Sequence, residues 1–237
     1  MQVSISIPAC NEAERIEKCV LGVRRFMEKT GKDYEIIIAD DGSTDGTGRI
    51  AGILCKKFRE IKNVHSARRL GKGGALKKAF GYSKGDIFIF MDADLATDVS
   101  HIEDMISEMN KGFDIITGSR WIKGSKVTMP FHRHLLSFFY NSFARILFRD
   151  GIRDHQCGFK AFRKKTVKKV VVSVKDNGWF WDTELLVKSK NSGLKIREIP
   201  VTWRENRKNR ETRFRILRDS LAMFFKLLRL RLELHGI

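Results

Sequence analysis

Proline is scarce, with three in 237 residues, and no Pro-rich or Ser/Pro-rich run marks a linker. Internal repeats and low-complexity tracts are missing as well. A chain of this length suits one large α/β domain or two small ones. Cysteine is sparse too: Cys10, Cys19, Cys55 and Cys157 are scattered, with no C-x-x-C and no His at zinc-finger spacing. That excludes a disulfide framework and a zinc finger, and it points to free thiols in a reducing compartment. No run of about 18 apolar residues occurs, so no membrane-spanning helix is expected. The opening MQVSISIPACNE has no charged segment followed by an apolar one, so no signal peptide is expected either.

Acidic residues are in deficit: 28 Asp and Glu stand against 46 Lys and Arg, a net charge of +18. Such a balance calls for an anionic partner, whether nucleic acid, an acidic membrane surface or a phosphorylated substrate. Charge alone does not choose among them. The basic-domain rule points to nucleic acid, but there is no RNP aromatic motif, zinc finger or coiled-coil basic region. At 42% hydrophobic, the chain can bury a sizeable core and is not disordered in composition.

What is present is an alternation. VSISIP (3–8) has the pattern of a strand closed by Pro8. The next segment carries Ile16, Val20, Val23 and Met27 at helical spacing and stops at Gly31. YEIIIADD is a second strand, STDGTGRIAGILCKKF a capped helix, NVHSAR a short third strand, and GKGGALKKAFGYS a glycine turn entering a helix. DIFIFMDAD is a fourth strand and DIITGSR (114–120) a fifth. This order means βαβ units and a mainly parallel sheet, with strands apolar on both faces. Ligands then bind beyond the carboxyl ends of the strands. Those ends carry Pro8 to Glu12, Asp40 to Ser43, Arg68 to Gly74, Asp92 to Asp94, and Gly118 to Arg120. Acids in such number repel phosphodiesters, which weakens the nucleic-acid reading.

DDGSTDGT (40–47) is not an EF-hand, because Gly52 stands where the bidentate Glu is needed. It is either an Asp/Gly turn or a nucleoside contact through Asp41. RLGKGG (69–74) is not a P-loop; it is a basic glycine turn that is either plain or suited to a diphosphate. MDADLA puts Asp92 and Asp94 on one face at period two, a hard-cation arrangement that phosphate oxygens can complete. Asp98 is expected to cap the helix at VSHIEDM.

Together, SISIPACNEAERI, IIIADDGSTDGT, GKGGALKKAF, FMDADLA and ITGSR resemble the family 2 glycosyltransferases. GIRDHQCGFKAFRK (151–164), WFWDTELL (179–186) and IREIPVTW (196–203) resemble the dolichyl-phosphate glucosyltransferase and dolichyl-phosphate mannose synthase branch. The resemblance implies the GT-A fold, a Rossmann-like α/β architecture with a mainly parallel sheet flanked by helices. It also implies inverting transfer of one sugar from a nucleotide-sugar donor to dolichyl or polyprenyl phosphate, with Mg²⁺ or Mn²⁺ on Asp92 and Asp94. By the same resemblance Pro8, Asn11, Glu12, Asp41, Lys72 and Asp92 serve the donor. Arg120, Arg133, Ser137 and Arg213 serve the acceptor phosphate, and Asp154 and Gln156 the sugar. Asp94, Arg120, Asp182 and Glu184 are the candidates for the chemical step. DHQCGFK stands close to the DTQCGFK of glucosyl-type members, and Ala96 replaces the Gln that mannose synthases tend to carry. UDP-glucose is therefore the expected donor, with GDP-mannose or a hydroxyl acceptor as the alternatives.

The expected division is a catalytic domain over 1–212 and an amphipathic helix over 213–237. In RFRILRDSLAMFFKLLRLRLEL, Arg215, Arg218, Lys226 and Arg229 fall on one side. Leu217, Leu221, Phe224, Phe225, Leu228 and Leu232 fall on the other. LLSFFYNSFARILF (135–148) is a second candidate. Each either packs on the sheet or lies in a membrane interface. With a lipid acceptor, the expected location is peripheral, on the cytoplasmic face of a membrane. The basic run at 203–215 offers Arg207, Lys208, Arg210 and Arg213, either to the phosphates or to solvent.

Overall fold

The structure, a computed structural model, describes residues 2–206 and 216–234, with side chains of the last segment from residue 222 onward. Its centre is a seven-stranded sheet in the order β3-β2-β1-β4-β7-β5-β8. The strands are β1 (Val3–Ala9), β2 (Tyr34–Asp40), β3 (Ile61–Asn63), β4 (Ile87–Met91), β5 (Ile115–Ser119), β7 (Phe159–Arg163) and β8 (Ile196–Pro200). All run parallel except β7, which lies antiparallel between β4 and β5. β6 (Lys126–Thr128) and β9 (Thr202–Arg204) form a separate two-stranded ribbon.

Period-two alternation divides the core into two layers. On β4, Ile87, Ile89 and Met91 face α1 (Ile16–Thr30), α2 (Thr47–Lys57) and α4 (His101–Asn110). Phe88 and Phe90 face α3 (Lys72–Tyr82), α6 (Lys164–Ser173) and α7 (Trp181–Asn191). Both faces are covered, so the strands are apolar throughout, as buried parallel strands must be. α1 ends at Gly31 in the left-handed conformation, where its spacing predicted. The third strand begins before its expected place at NVHSAR: β3 pairs over Ile61–Asn63, starting at Ile61, which is 3% exposed, and hydrogen bonds to β2 run on through Val64 and Ser66.

A third cluster lies outside the sheet. α5 (Phe131–Phe148) packs Tyr140 and Ala144 against Leu227 and Leu230 of α8 (Ile216–Leu234), together with Phe180 and Val187. Phe224 sits edge-on to Tyr140 with centroids 6.0 Å apart. Among the described residues no helix is long and apolar enough to cross a membrane.

Candidate active site

The carboxyl ends of β1, β2, β4 and β5 open on one edge, as parallel pairing requires, and the loops there are tied to one another. Asn11, in the left-handed conformation at φ 56°, takes the Thr44 N–H on Oδ1 at 2.8 Å, and its own N–H donates to Ser43 Oγ. The Glu12 N–H donates to Thr47 Oγ1, and the Glu12 carboxylate pairs with Arg15 at 2.8 Å. Pro8 lies in β1 opposite Ala39. Asp41 is 3% exposed and accepts the N–H groups of Leu70 and Gly71 at 2.5 and 2.9 Å. Its carboxylate therefore holds the glycine turn in place.

The glycines of that turn serve packing. Gly71 is at φ 88°, and a Cβ there would overlap Asn177 O. A Cβ on Gly73 would lie 2.5 Å from Trp181 Cβ. The Gly74 N–H donates to Asn177 O. Two of the turn's amides, those of Gly71 and Gly74, are thus committed to protein, and the residue that reaches into the site is Lys72. Its ammonium lies 3.0 Å from Asp92 Oδ1 and 3.2 Å from Asp182 Oδ2, above the Trp179 ring at 5.1 Å. Burial pulls its pKa down, but the charges of Asp182 and Asp92 and the hydrogen bonds to them together hold it above the ordinary lysine value.

Asp92 and Asp94 follow β4 directly. Asp92 is packed under Gly158, where a Cβ would overlap its carboxylate. Asp94 Oδ1 accepts the Ala96 N–H at 3.1 Å, and Leu95 takes a positive φ of 53°. Asn206 holds that turn from the other side, donating to Asp94 O and Leu95 O at 3.0 Å each. No cluster of three protein metal ligands exists among the described residues. Two carboxylates on a strand end nevertheless fit a hard divalent cation that completes its shell with phosphate oxygens and water. Asp98 accepts the Ser100 N–H at 2.9 Å and caps the turn that enters α4.

Arg120 and Asp154 form the second centre. The guanidinium is bidentate on the carboxylate, Nε to Oδ2 at 2.7 Å and Nη2 to Oδ1 at 2.9 Å, and the Arg120 N–H also donates to Oδ2. Asp154 Oδ1 further accepts the N–H groups of Gln156 and Cys157. Burial alone would raise Asp154, but the Arg120 charge, the hydrogen bonds from Arg120 and the Lys160 charge together hold the carboxyl below the usual range. Ser137 on α5 accepts from Arg120 at 3.3 Å and donates to Gln156 Oε1 at 3.4 Å. Arg120, Ser137, Asp154 and Gln156, expected to serve acceptor and sugar separately, thus form one network. Arg133 is paired with Glu205 beside it. Arg213, Arg207, Lys208 and Arg210 lie outside the described residues.

Asp182 and Glu184 do not share a site, because residues two apart on a helix face different ways. Asp182 lies between Lys72 and Lys160, the latter at 3.1 Å. Glu184 accepts the N–H groups of Lys175 and Asp176 and pairs with Lys188 at 2.7 Å, so it anchors the loop before α7. Lys160 and Asn206 were not among the expected residues. The one available signal for Lys160 was a lysine at a core position of the apolar strand GFKAF. Burial, with the Asp154 charge, pushes the Cys157 thiol up to about 12, so it is not a nucleophile at neutral pH.

Comparison with known proteins follows this geometry. Residues 4–171 match glycosyl transferase family 2. Glycosyltransferase AglD of Haloferax volcanii is 39% identical over 97% of this chain, which spans 37% of that protein. The dolichyl-phosphate beta-glucosyltransferase of Saccharomyces cerevisiae is 30% identical over 86% of this chain and 67% of its own length. The dolichol-phosphate mannosyltransferase of Pyrococcus furiosus is 35% identical over 86% of this chain and 56% of its own. In fold, the chain superposes on glucosyl-3-phosphoglycerate synthase of Mycobacterium tuberculosis, solved with Mn²⁺ and UDP. That match has a TM-score of 0.74 and 20% identity, and it covers all of this chain and 80% of the other.

Proposed function

The chain belongs to glycosyl transferase family 2, and we propose that it transfers one sugar, with inversion, from a nucleotide-sugar to the phosphate of dolichol or another polyprenol. The observation that carries this reading is the commitment of the site's acids. Asp154 is bidentate with Arg120, Asp182 sits between two lysines, and Glu184 holds backbone amides. None of the three is placed as an open general base. A hydroxyl acceptor needs a base, but a phosphate monoester does not, because its second pKa is about 6 and it arrives as an anion. Its requirement is arginine donors: Arg120, which Asp154 holds through Nε and Nη2, has Ser137 beside it, and Arg133 lies on the same helix as Ser137.

On the donor side, Lys72 stands ready to pass from Asp92 and Asp182 to the diphosphate. Asp92 and Asp94 would hold a divalent cation, which when bound neutralises charge on the leaving diphosphate as a Lewis acid. Asn11, Glu12 and Asp41 shape the nucleoside end of the cleft. UDP-glucose is the donor favoured by DHQCGFK and Ala96 and by the yeast relative's activity. GDP-mannose is the second reading, favoured by the Pyrococcus relative.

A lipid acceptor also accounts for the apolar surface. Phe131, Phe138 and Ile146 of α5 are 79%, 48% and 71% exposed, and Phe225 of α8 is 69% exposed. The expected division of α8 changes in detail: Leu227 and Leu230 pack on α5, while Phe225, Leu228 and Leu232 face outward. We assign residues 1–212 to the catalytic body and 213–237 to a peripheral element at the cytoplasmic face of a membrane.

The test is a lipid-product assay with dolichyl phosphate in detergent and labelled UDP-glucose, UDP-N-acetylglucosamine and GDP-mannose in parallel. Label should enter the organic phase from one donor and disappear with chelator or with Asp94→Ala. Transfer only to water-soluble hydroxyl acceptors would overturn the reading.

A further inference from the structure

Lys160 is a lysine with no solvent exposure, set in β7 between Phe159 and Ala161. Its ammonium donates to Cys157 O, to His155 O at 3.3 Å and to Asp182 Oδ1 at 3.1 Å, with the Phe90 ring 5.8 Å away. A buried ammonium is expensive and is a poor way to stabilise a core, because an apolar side chain of similar volume usually does as well or better. Phe90, Phe162 and Trp181 already pack around this end of the sheet. A role other than packing accounts for the charge.

That role lies in what Asp182 does with its other oxygen. Four groups stand in a row, Asp92, Lys72, Asp182 and Lys160, with ion pairs at 3.0, 3.2 and 3.1 Å. Two negative and two positive charges sum to zero. Asp92 is the most exposed member of the row, at 30%, and Lys72, at 8%, stands next to it, held by both carboxylates. If Lys72 meets a diphosphate, it must weaken its hold on Asp182, which would leave a buried carboxylate uncompensated unless another cation remains. Lys160 is that cation. We propose that Lys160 is a positioning residue for donor binding: by neutralising Asp182 from behind, it frees the Lys72 ammonium for the donor's diphosphate. The proposal rests on the reading that Lys72 contacts that diphosphate.

Calorimetry on the full chain with Mn²⁺ tests it, using UDP and UMP, and GDP and GMP in parallel. With Lys160→Met the row carries net negative charge, and nucleoside diphosphate binding should weaken about tenfold or more. Monophosphate binding should change by less than about threefold, since loss of folded protein alone would lower both equally. Lys160→Arg should stay near the parent. The compensated double variant Lys160→Met with Asp182→Asn restores a neutral row and should recover diphosphate binding to within about threefold of the parent. Unchanged diphosphate binding in Lys160→Met, an equal loss for both nucleotides, or no recovery in the double variant overturns the proposal. If Lys160→Met does not fold, the double variant decides: weak diphosphate binding there overturns it. Lys72→Met separates the two ideas. Parent-like diphosphate binding in that variant, or no binding by the parent, sinks the donor-site reading itself.

Discussion

Gly158 faces Asp92 with no room for a side chain: a Cβ there would overlap Oδ2 and lie 2.6 Å from Cγ. The two residues are far apart in sequence, yet antiparallel pairing of β7 with β4, Phe159 opposite Met91, sets one against the other. The glycine of CGFK is therefore a wall of the D-x-D site.

Gly158→Ala should push the Asp92 carboxylate off its place beside Lys72. Overpacking of this kind costs about 1–3 kcal/mol, so the protein should still fold while transfer falls by about 100-fold. Thermal melting and kcat measured on the same preparation check this; a variant with parent-like kcat would show that Asp92 can move freely.

Arg120→Lys keeps the charge but loses the fork, which holds Asp154 through two parallel hydrogen bonds. Turnover should drop by about 100-fold with a raised KM for the lipid phosphate, and donor KM should change little. Initial-rate kinetics with each substrate varied in turn separate these.

The same pair fixes a pH dependence. The folded Asp154 pKa is depressed, because burial is outweighed by the Arg120 charge and hydrogen bonds together with the Lys160 charge. Its contribution is therefore complete above the unfolded value of about 3.9 and is lost as pH falls through the lower folded value. Denaturant melts from pH 6 downward should show the parent losing stability at the acid end, with Asp154→Asn less stable at pH 6, flatter, and converging with the parent as the pH falls.

Asp182→Asn should lower transfer by less than about tenfold and leave the acid limb of the rate profile, near the acceptor's second pKa of about 6, in place. A general base would instead take its limb with it when removed. A rate–pH profile of the variant distinguishes the two; loss of the limb with a rate fall of about 1,000-fold would restore Asp182 as the base.

Phe131→Ser with Phe138→Ser removes two exposed rings from the outer face of α5 without touching Tyr140 or Ala144, which pack on α8. Sedimentation with anionic vesicles should show weaker binding, while kcat on a short-chain polyprenyl phosphate in solution stays near the parent. Unaltered vesicle binding would mean that this face meets something other than lipid.

Much of the molecule was legible in the sequence because it depends on neighbours along the chain. Short apolar runs marked β1, β2, β4 and β5, helical spacing marked α1, and Gly31 stopped it in the left-handed conformation. The rule that parallel strands end at one edge gathered Asn11, Asp41, Lys72, Asp92 and Arg120 before any coordinates. What required the tertiary structure was every assignment that depends on packing or charge between distant segments. The glycines of GKGG have the pattern of a phosphate cradle in sequence, but Gly71 and Gly73 are small because Asn177 and Trp181 press on them. Asp182 and Glu184 appear as a pair, but helix geometry turns one to Lys160 and Lys72 and the other to a backbone loop. NVHSAR marks the third strand, but pairing starts earlier, at Ile61, because Ile61 is the residue that packs in the core. Sequence sets local periodicity and which chemistry is available at the sheet edge. Only the fold decides which charges meet, because an ion pair forms where register and burial bring two groups together, at whatever separation along the chain.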